Sequence, residues 1–275
     1  MKYDPNAGAP FRRPYRFFMA FLILIVPFCT MVPYVAPAVF MGDIMAQFGV
    51  DMSLAGLSMT IQLGATGICM FIVIQDKLGI RKSVILSIWS MVLGNLVAAL
   101  APNIGLFLFA RFISGFGQGL YTVSMTPCIS TWFANKERTY MITFNTAANS
   151  VFLAISYSIG RPLCNALGTW QAVLGLYAGI IAVVALLWTF FARDSAEALA
   201  AAQQRAQMAG SGKKESSLLR AAKEIQYWKL LMFAGTFAIA NTAIASFLPT
   251  YLTIERGMDA TVATTISSLN SLFGI

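Results

Sequence analysis

The sequence predicts an all-α polytopic membrane protein, and three observations support this prediction. Only 11% of the 275 residues are charged, 58% are hydrophobic, and the mean hydropathy is +0.71. Charges divide the chain into uncharged stretches of roughly 20 residues or more, the length at which a helix crosses a hydrocarbon core about 30 Å thick. Basic residues cluster in alternate loops, as topology requires. Because lipid offers no partners to backbone polar groups, each stretch is predicted to be a helix.

Eight membrane spans are predicted in chain order. Spans three and four come from one uncharged stretch that Ala101-Pro102-Asn103 interrupts. An eighth span begins after the seventh and reaches Ile275 without a polar end, so we expect the chain to be a fragment that lacks its C-terminal half. The stretches assigned to the first seven spans are residues 17–42, 52–75, about 83–101, about 104–130, 139–160, 162–192 and 230–254.

The spans are expected to form three units. Residues 1–192 are predicted to be an N-terminal six-helix transmembrane bundle, and residues 227–275 the start of a C-terminal bundle. Residues 193–226 are predicted to be a cytoplasmic linker, whose second half has the apolar and charged faces of a short amphipathic helix on the membrane surface. The loops on the other side hold only Arg161 and Arg256. The N-terminus is therefore predicted to be cytoplasmic, in a bacterial inner (plasma) membrane.

Composition argues against several functions. The chain has no histidine and no Cys-x-x-Cys among its four cysteines, so neither a cofactor nor a metal site is predicted. The net charge of +8 follows the alternating loops, so nucleic acid is not an expected partner. The spans hold no carboxylate pair or nucleophile–base pair, so an enzyme is not expected. A membrane sensor or scaffold, docking a cytoplasmic partner on its linker, is an alternative to transport.

The loop after span two reads Gln75-Asp76-Lys77-Leu78-Gly79-Ile80-Arg81-Lys82. A tight reversal needs glycine, and charges here are suited to latching one group of helices to another. At Asp76, Lys77, Gly79 and Arg81 the loop resembles the signature between helices two and three of major facilitator superfamily transporters, although three other positions differ. The resemblance implies that these four residues form a gating loop. The charges by themselves are equally consistent with an ordinary basic loop between two spans, with no gating role.

Span four carries a second motif. Arg111 is followed by Gly115 and Gly117, a spacing that resembles the second signature of the same superfamily. At 100° per residue, Arg111, Gln118 and Tyr121 fall within an arc of about 80°, which makes a polar stripe on the helix. A charge at this depth costs at least roughly 2.5 kcal/mol, so Arg111 is expected to face a cavity or a partner. An arginine held by backbone carbonyls for structure is the alternative.

The substrate site is expected among polar residues of spans one, four, five and seven. In the superfamily, helices one, four and seven line the central cavity, and Trp132–Arg138 resembles a segment of its organic-anion transporters. Asn145 and Asn149 share one face of span five, where packing between helices is an equally open alternative. The predicted substrate-binding residues are Thr30, Tyr34, Arg111, Gln118, Tyr121, Asn145, Asn149 and Asn241.

The resemblance implies a six-helix bundle of the major facilitator type, the start of a second, and secondary active transport by alternating access. No Asp or Glu lies within spans one to seven, whereas Arg111 is placed to attract an anion. The predicted substrate is therefore a small organic anion or polar metabolite, with a proton or sodium as coupling ion. The bilayer and the missing C-terminal half are the other expected partners. Efflux of drugs or amphipaths is the alternative, and Arg161 is expected to snorkel to the outer interface.

Overall fold

The computed structural model describes residues 13–71, 78–133, 135–192 and 225–273. Every regular element in these ranges is a helix, which confirms the all-α prediction. Spans one to eight correspond to α1 and α3–α9, and α2 is an additional short helix between the first two. The helices described are α1 (Arg13–Val39), α2 (Met41–Phe48), α3 (Met52–Phe71), α4 (Ile80–Ala99), α5 (Ile104–Trp132), α6 (Asn135–Leu167), α7 (Trp170–Phe191), α8 (Ile225–Ile254) and α9 (Ala260–Phe273).

Local signals set several helix ends. The Asn103 side chain accepts a hydrogen bond from the Leu106 N–H at 2.9 Å and caps the start of α5. Spans three and four are therefore divided where the sequence predicted. Gly168 has a φ of +78° and ends α6, since glycine accepts this left-handed conformation without steric cost. Thr169 then caps α7. The predicted linker helix falls mostly within residues 193–224, which lie outside the described residues.

The predicted boundary between spans five and six is wrong. Helix α6 continues through Arg161 and Pro162 to Leu167, so the uncharged stretch 162–192 is shared between two helices. Arg161 is tolerated inside a helix because its guanidinium pairs with the carboxylate of Asp43. Pro162 lacks an amide hydrogen, but helices in membranes accept proline where neighbouring groups satisfy the backbone.

Five of the described helices are long and apolar enough to cross a membrane: residues 17–39, 52–70, 80–99, 104–132 and 170–191. With 33 residues, α6 is also long enough, but it carries more polar side chains, including the buried Asn145 and Ser156. Large apolar side chains such as Phe109 and Val183 are exposed. Such a surface suits lipid rather than water.

Helix α5 packs closely against α3 and α4. Its glycines permit the approach, since a Cβ on Gly119 would lie 2.6 Å from the carbonyl oxygen of Thr66 in α3, and one on Gly117 2.6 Å from that of Ser87 in α4. Gly115 faces α3 in the same way. Small residues that let helix backbones approach are the usual means of association in lipid. The glycines of the predicted signature therefore serve as packing surfaces.

The helices that follow the linker pack against the first bundle. Helix α9 packs along α6, and α8 contacts α1. A Cβ on Gly56, near the start of α3, would lie 3.7 Å from the ring of Phe247, near the end of α8. Both positions lie on the side opposite the predicted cytoplasmic face, which we call the outer side. The two groups of helices thus meet at their outer ends.

Candidate functional site

Arg111 is enclosed at the junction of α1, α3 and α5, with 0% of its surface exposed. Its terminal nitrogens donate to the Pro33 carbonyl at 3.1 and 3.2 Å, to the Tyr34 carbonyl at 3.2 Å and to the side-chain oxygen of Gln62. The Pro33 carbonyl lacks its usual helical donor because residue 37 is also a proline and has no N–H. Arg111 therefore completes the hydrogen bonding of α1.

Gln62 of α3 is a central residue that the sequence analysis missed. Its oxygen accepts from Arg111, and its amide nitrogen donates to the Gln118 side-chain oxygen at 3.2 Å. Gln62 is only 3% exposed. The result is a hydrogen-bonded chain that joins three helices. One signal was available, since Gln62 is the single amide side chain within α3, and a polar side chain in a membrane helix is expected to seek a partner.

The partners that the described residues offer Arg111 are neutral oxygens, and its Nε has no partner among them. The space beside it has no room for a water molecule. Its lining is otherwise apolar and includes Pro37, Phe107 and Trp170. This arrangement matches the structural alternative for Arg111: a guanidinium held by backbone carbonyls.

A second polar group lies between α1, α5 and α6. The Tyr121 hydroxyl donates to Asn145 Oδ1 at 3.2 Å, and Asn145 Nδ2 donates to the Ile23 carbonyl at 3.4 Å. Asn149 Nδ2 donates to the Asn145 carbonyl at 2.9 Å. The single Tyr121 proton is committed to Asn145, and the buried Asn149 Oδ1 has no donor among the described residues. We call Tyr121, Asn145 and Asn149 the amide cluster.

The remaining predicted substrate residues are placed differently. Thr30 is 3% exposed, and its hydroxyl donates to the Pro27 carbonyl of its own helix at 2.9 Å. The half-buried Tyr34 contributes its backbone carbonyl to Arg111. Asn241 lies in α8, but its side chain is outside the described part of the chain. The structure thus joins Arg111 directly to the Tyr34 carbonyl and, through Gln62, to Gln118. The amide cluster lies on α5 and α6.

Two of the four predicted gating-loop residues are described. Gly79 has a φ of +82° and precedes α4, as the predicted tight reversal requires. Arg81 donates from Nη2 to the Thr189 carbonyl at 3.0 Å, near the C-terminal end of α7. A cation is favourable at a helix C-terminus, and this bond ties the loop to its own bundle. Asp76 and Lys77 lie outside the described residues, and the gating role stays a prediction.

Comparisons with known proteins agree with this architecture. Residues 19–275 match the family model of the Major Facilitator Superfamily, and the chain belongs to that family. It is similar to the uncharacterized protein Cj0987c of Campylobacter jejuni, with 25% identity over 68% of this chain and 55% of that protein. It is also similar to probable inositol transporter 2 of Arabidopsis thaliana, with 29% identity over 44% of this chain and 21% of the transporter.

A solved structure gives the same fold. A bacterial homolog of the human lysosomal transporter Spinster, in an inward-facing and unoccupied conformation, superposes with a TM-score of 0.70 at 14% identity. The match covers 95% of this chain and 60% of that protein. The chain spans at most about half to three fifths of the length of these relatives. The protein is therefore an integral membrane protein with a major facilitator fold over the part present here.

Proposed function

We propose that the protein is a secondary active transporter that works by alternating access and binds a small polar metabolite between two six-helix bundles. The amide cluster is the observation that supports this proposal. Polar side chains within membrane helices are costly and tend to mark substrate pathways. The buried Asn149 Oδ1, which has no donor in the part of the chain that the structure describes, is suited to accept a hydrogen bond from a substrate hydroxyl when the bundles move apart.

Between the two predicted substrate classes, the geometry of Arg111 favours an uncharged polar metabolite over an organic anion. The guanidinium is fully enclosed, and its terminal nitrogens already bind the carbonyls of α1 and the Gln62 side chain. An anion would have to displace these partners. The amide cluster instead offers neutral donors and acceptors, the groups that recognise hydroxylated solutes. The relative named as an inositol transporter supports the same class. A proton or sodium is the proposed coupling ion.

Replacing Asn149 with leucine is expected to raise the KM for uptake of a polyol about tenfold. Removing the acceptor leaves the bound hydroxyl without a partner, at a cost of ~1–3 kcal/mol, and about 1.4 kcal/mol corresponds to tenfold. The measurement is uptake of radiolabelled myo-inositol by the full-length protein in proteoliposomes. Thr143→Ala is the matched control, since this exposed hydroxyl on α6 donates to the Thr139 carbonyl of its own helix.

Two results would count against this site. Saturable uptake by Asn149→Leu with an unchanged KM would remove Asn149 from the substrate site. Uptake of radiolabelled carboxylates, but not polyols, with a KM that depends on Arg111 would restore the anion class. If the wild type shows no saturable flux of any solute, the sensor alternative gains support.

We also propose that the N-terminus and the linker lie in the cytoplasm of a bacterial inner membrane. The four native cysteines are buried, so single introduced cysteines report topology. Glu255, exposed between α8 and α9, and Arg138, exposed near the start of α6, lie on opposite sides. An impermeant maleimide is expected to label Glu255→Cys in intact cells and Arg138→Cys only after permeabilisation. The reverse pattern would invert the proposed orientation.

A further inference from the structure

Three charged residues lie on the outer side, and we call them the outer charge cluster: Asp43 in α2, Arg161 near the end of α6, and Asp259 directly before α9. Arg161 Nη1 forms an ion pair with Asp43 Oδ2. The two side chains are 24% and 33% exposed, so the pair is only partly shielded from solvent. Arg161 thus does not simply snorkel to the interface; it has a partner from its own bundle.

The chain path brings Asp259 to the same place. Helix α6 runs outward and ends at Leu167, whereas α9 starts at Ala260 on the outer side and runs inward. These two helices pack against each other, so the start of α9 lies beside the outer end of α6. The pKa of Asp259 is lowered, first by hydrogen bonds from Thr261 and in smaller part by the positive charge of Arg161.

The other cation on the outer side, Arg256, has a partner of its own. Arg256 donates from Nε to the Tyr251 hydroxyl at 3.1 Å, and its guanidinium carbon lies 5.7 Å from the centre of the Tyr251 ring. Both contacts are with the C-terminal end of α8, five residues earlier in the chain. Arg161 is therefore the outer cation that stands between the first bundle and α9.

We propose that Arg161 is a cation shared between Asp43 of its own bundle and Asp259 of the following one, and that this sharing stabilises the conformation in which the outer ends are closed. The inference rests on the proposed alternating-access function. When the outer ends separate, Asp259 leaves with α9, whereas Asp43 stays beside Arg161. The two acids therefore affect the equilibrium in opposite directions.

The signs of the expected effects follow from this geometry. Asp259→Asn removes the attraction between bundles and increases the outer-open population. Asp43→Asn removes the competing partner, so Arg161 pairs with Asp259 alone and the outer-closed population increases. Exposed ion pairs contribute little, so each change is expected to shift the closed-to-open ratio about two- to fivefold. Arg161→Gln is expected to act like Asp259→Asn, and the double variant to add nothing further.

The test is a distance measurement on the full-length protein in liposomes. Spin labels at Leu100→Cys, exposed at the outer end of α4, and at Glu255→Cys report the separation of the outer ends by pulsed electron resonance. Asp51→Asn is the matched control, because asparagine retains the capping bond to the Leu54 N–H. The shifts are expected to shrink at high salt, since partly exposed charges are screened.

The outcomes separate this inference from the function on which it rests. Opposite shifts for Asp259→Asn and Asp43→Asn, with Asp51→Asn unchanged, support the shared cation. Shifts of the same sign, or an Asp259→Asn distribution identical to wild type, would overturn it while alternating access stands. A wild-type protein with one fixed distance, with and without myo-inositol, would overturn alternating access itself.

Discussion

Replacing Arg111 with leucine is expected to destabilise the folded protein even when no substrate is present. The substitution leaves the Pro33 carbonyl and the Gln62 side-chain oxygen without their charged donor. Each unpaired buried acceptor costs ~1–3 kcal/mol, so the loss in the free energy of unfolding is about 2–6 kcal/mol. The measurement is thermal unfolding of the purified full-length protein in detergent, followed by tryptophan fluorescence.

A second substitution makes this prediction specific. Pro37→Ala restores an N–H at the position that would donate to the Pro33 carbonyl in a regular helix. The double variant Arg111→Leu/Pro37→Ala is therefore expected to recover about 1–3 kcal/mol of the loss, the cost of one of the two acceptors. Arg111→Lys should remain destabilised, because one ammonium cannot reproduce the planar fork that reaches both helices.

The alternative role for Arg111 makes a different prediction. If this arginine binds substrate in the outward- or inward-open state, Arg111→Leu would leave the unfolding midpoint unchanged and lose uptake alone. Pro37→Ala would then rescue neither property. Unfolding without substrate, together with the rescue, therefore decides between the two hypotheses for this residue.

The fold could be predicted from the sequence because few backbone structures can span a bilayer. Span length, the basic loops and the interruption at Ala101-Pro102-Asn103 each follow from local rules, and α4 and α5 end and begin beside that interruption. The end of span five at Arg161 was predicted wrongly because local rules do not include contacts between residues far apart in the chain. Its ion-pair partner, Asp43, is 118 residues away in the chain. Because of this distant partner, the charge of Arg161, which the sequence indicates as the end of a span, lies inside a helix.

The candidate site was only partly predictable for the same reason. The polar stripe on α5 and the amides of α6 were visible as helical periodicity. Whether Arg111 faces a cavity or a carbonyl depends on how α1 crosses α5, and the acceptor it finds exists because Pro37 cannot bond to Pro33. Gln62 was passed over because one amide in an apolar span has no pattern; its role appears only when α3 is placed beside α5.

Gly115→Ala is expected to disrupt the packing of the first bundle strongly. The added Cβ would overlap the Gln62 carbonyl oxygen and lie 2.9 Å from the Ala65 Cβ. A backbone oxygen cannot rotate away as a side chain does, so α3 and α5 must separate. Overpacking of this kind costs about 1–3 kcal/mol. The added methyl group also displaces the residue that holds Arg111, so uptake should fall with stability.

Glycines on the facing helix provide the control for this prediction. A Cβ on Gly64 or Gly67 of α3 would meet nothing within 4 Å. Alanine is the better helix former by roughly 0.5–1 kcal/mol, so Gly64→Ala and Gly67→Ala should be neutral or slightly stabilising. The unfolding midpoint of each purified variant is the measurement. Equal midpoints for Gly115→Ala and Gly64→Ala would show that α3 and α5 do not approach this closely. That result would also contradict the series of hydrogen bonds that connects α1, through Arg111, to Gln62 of α3.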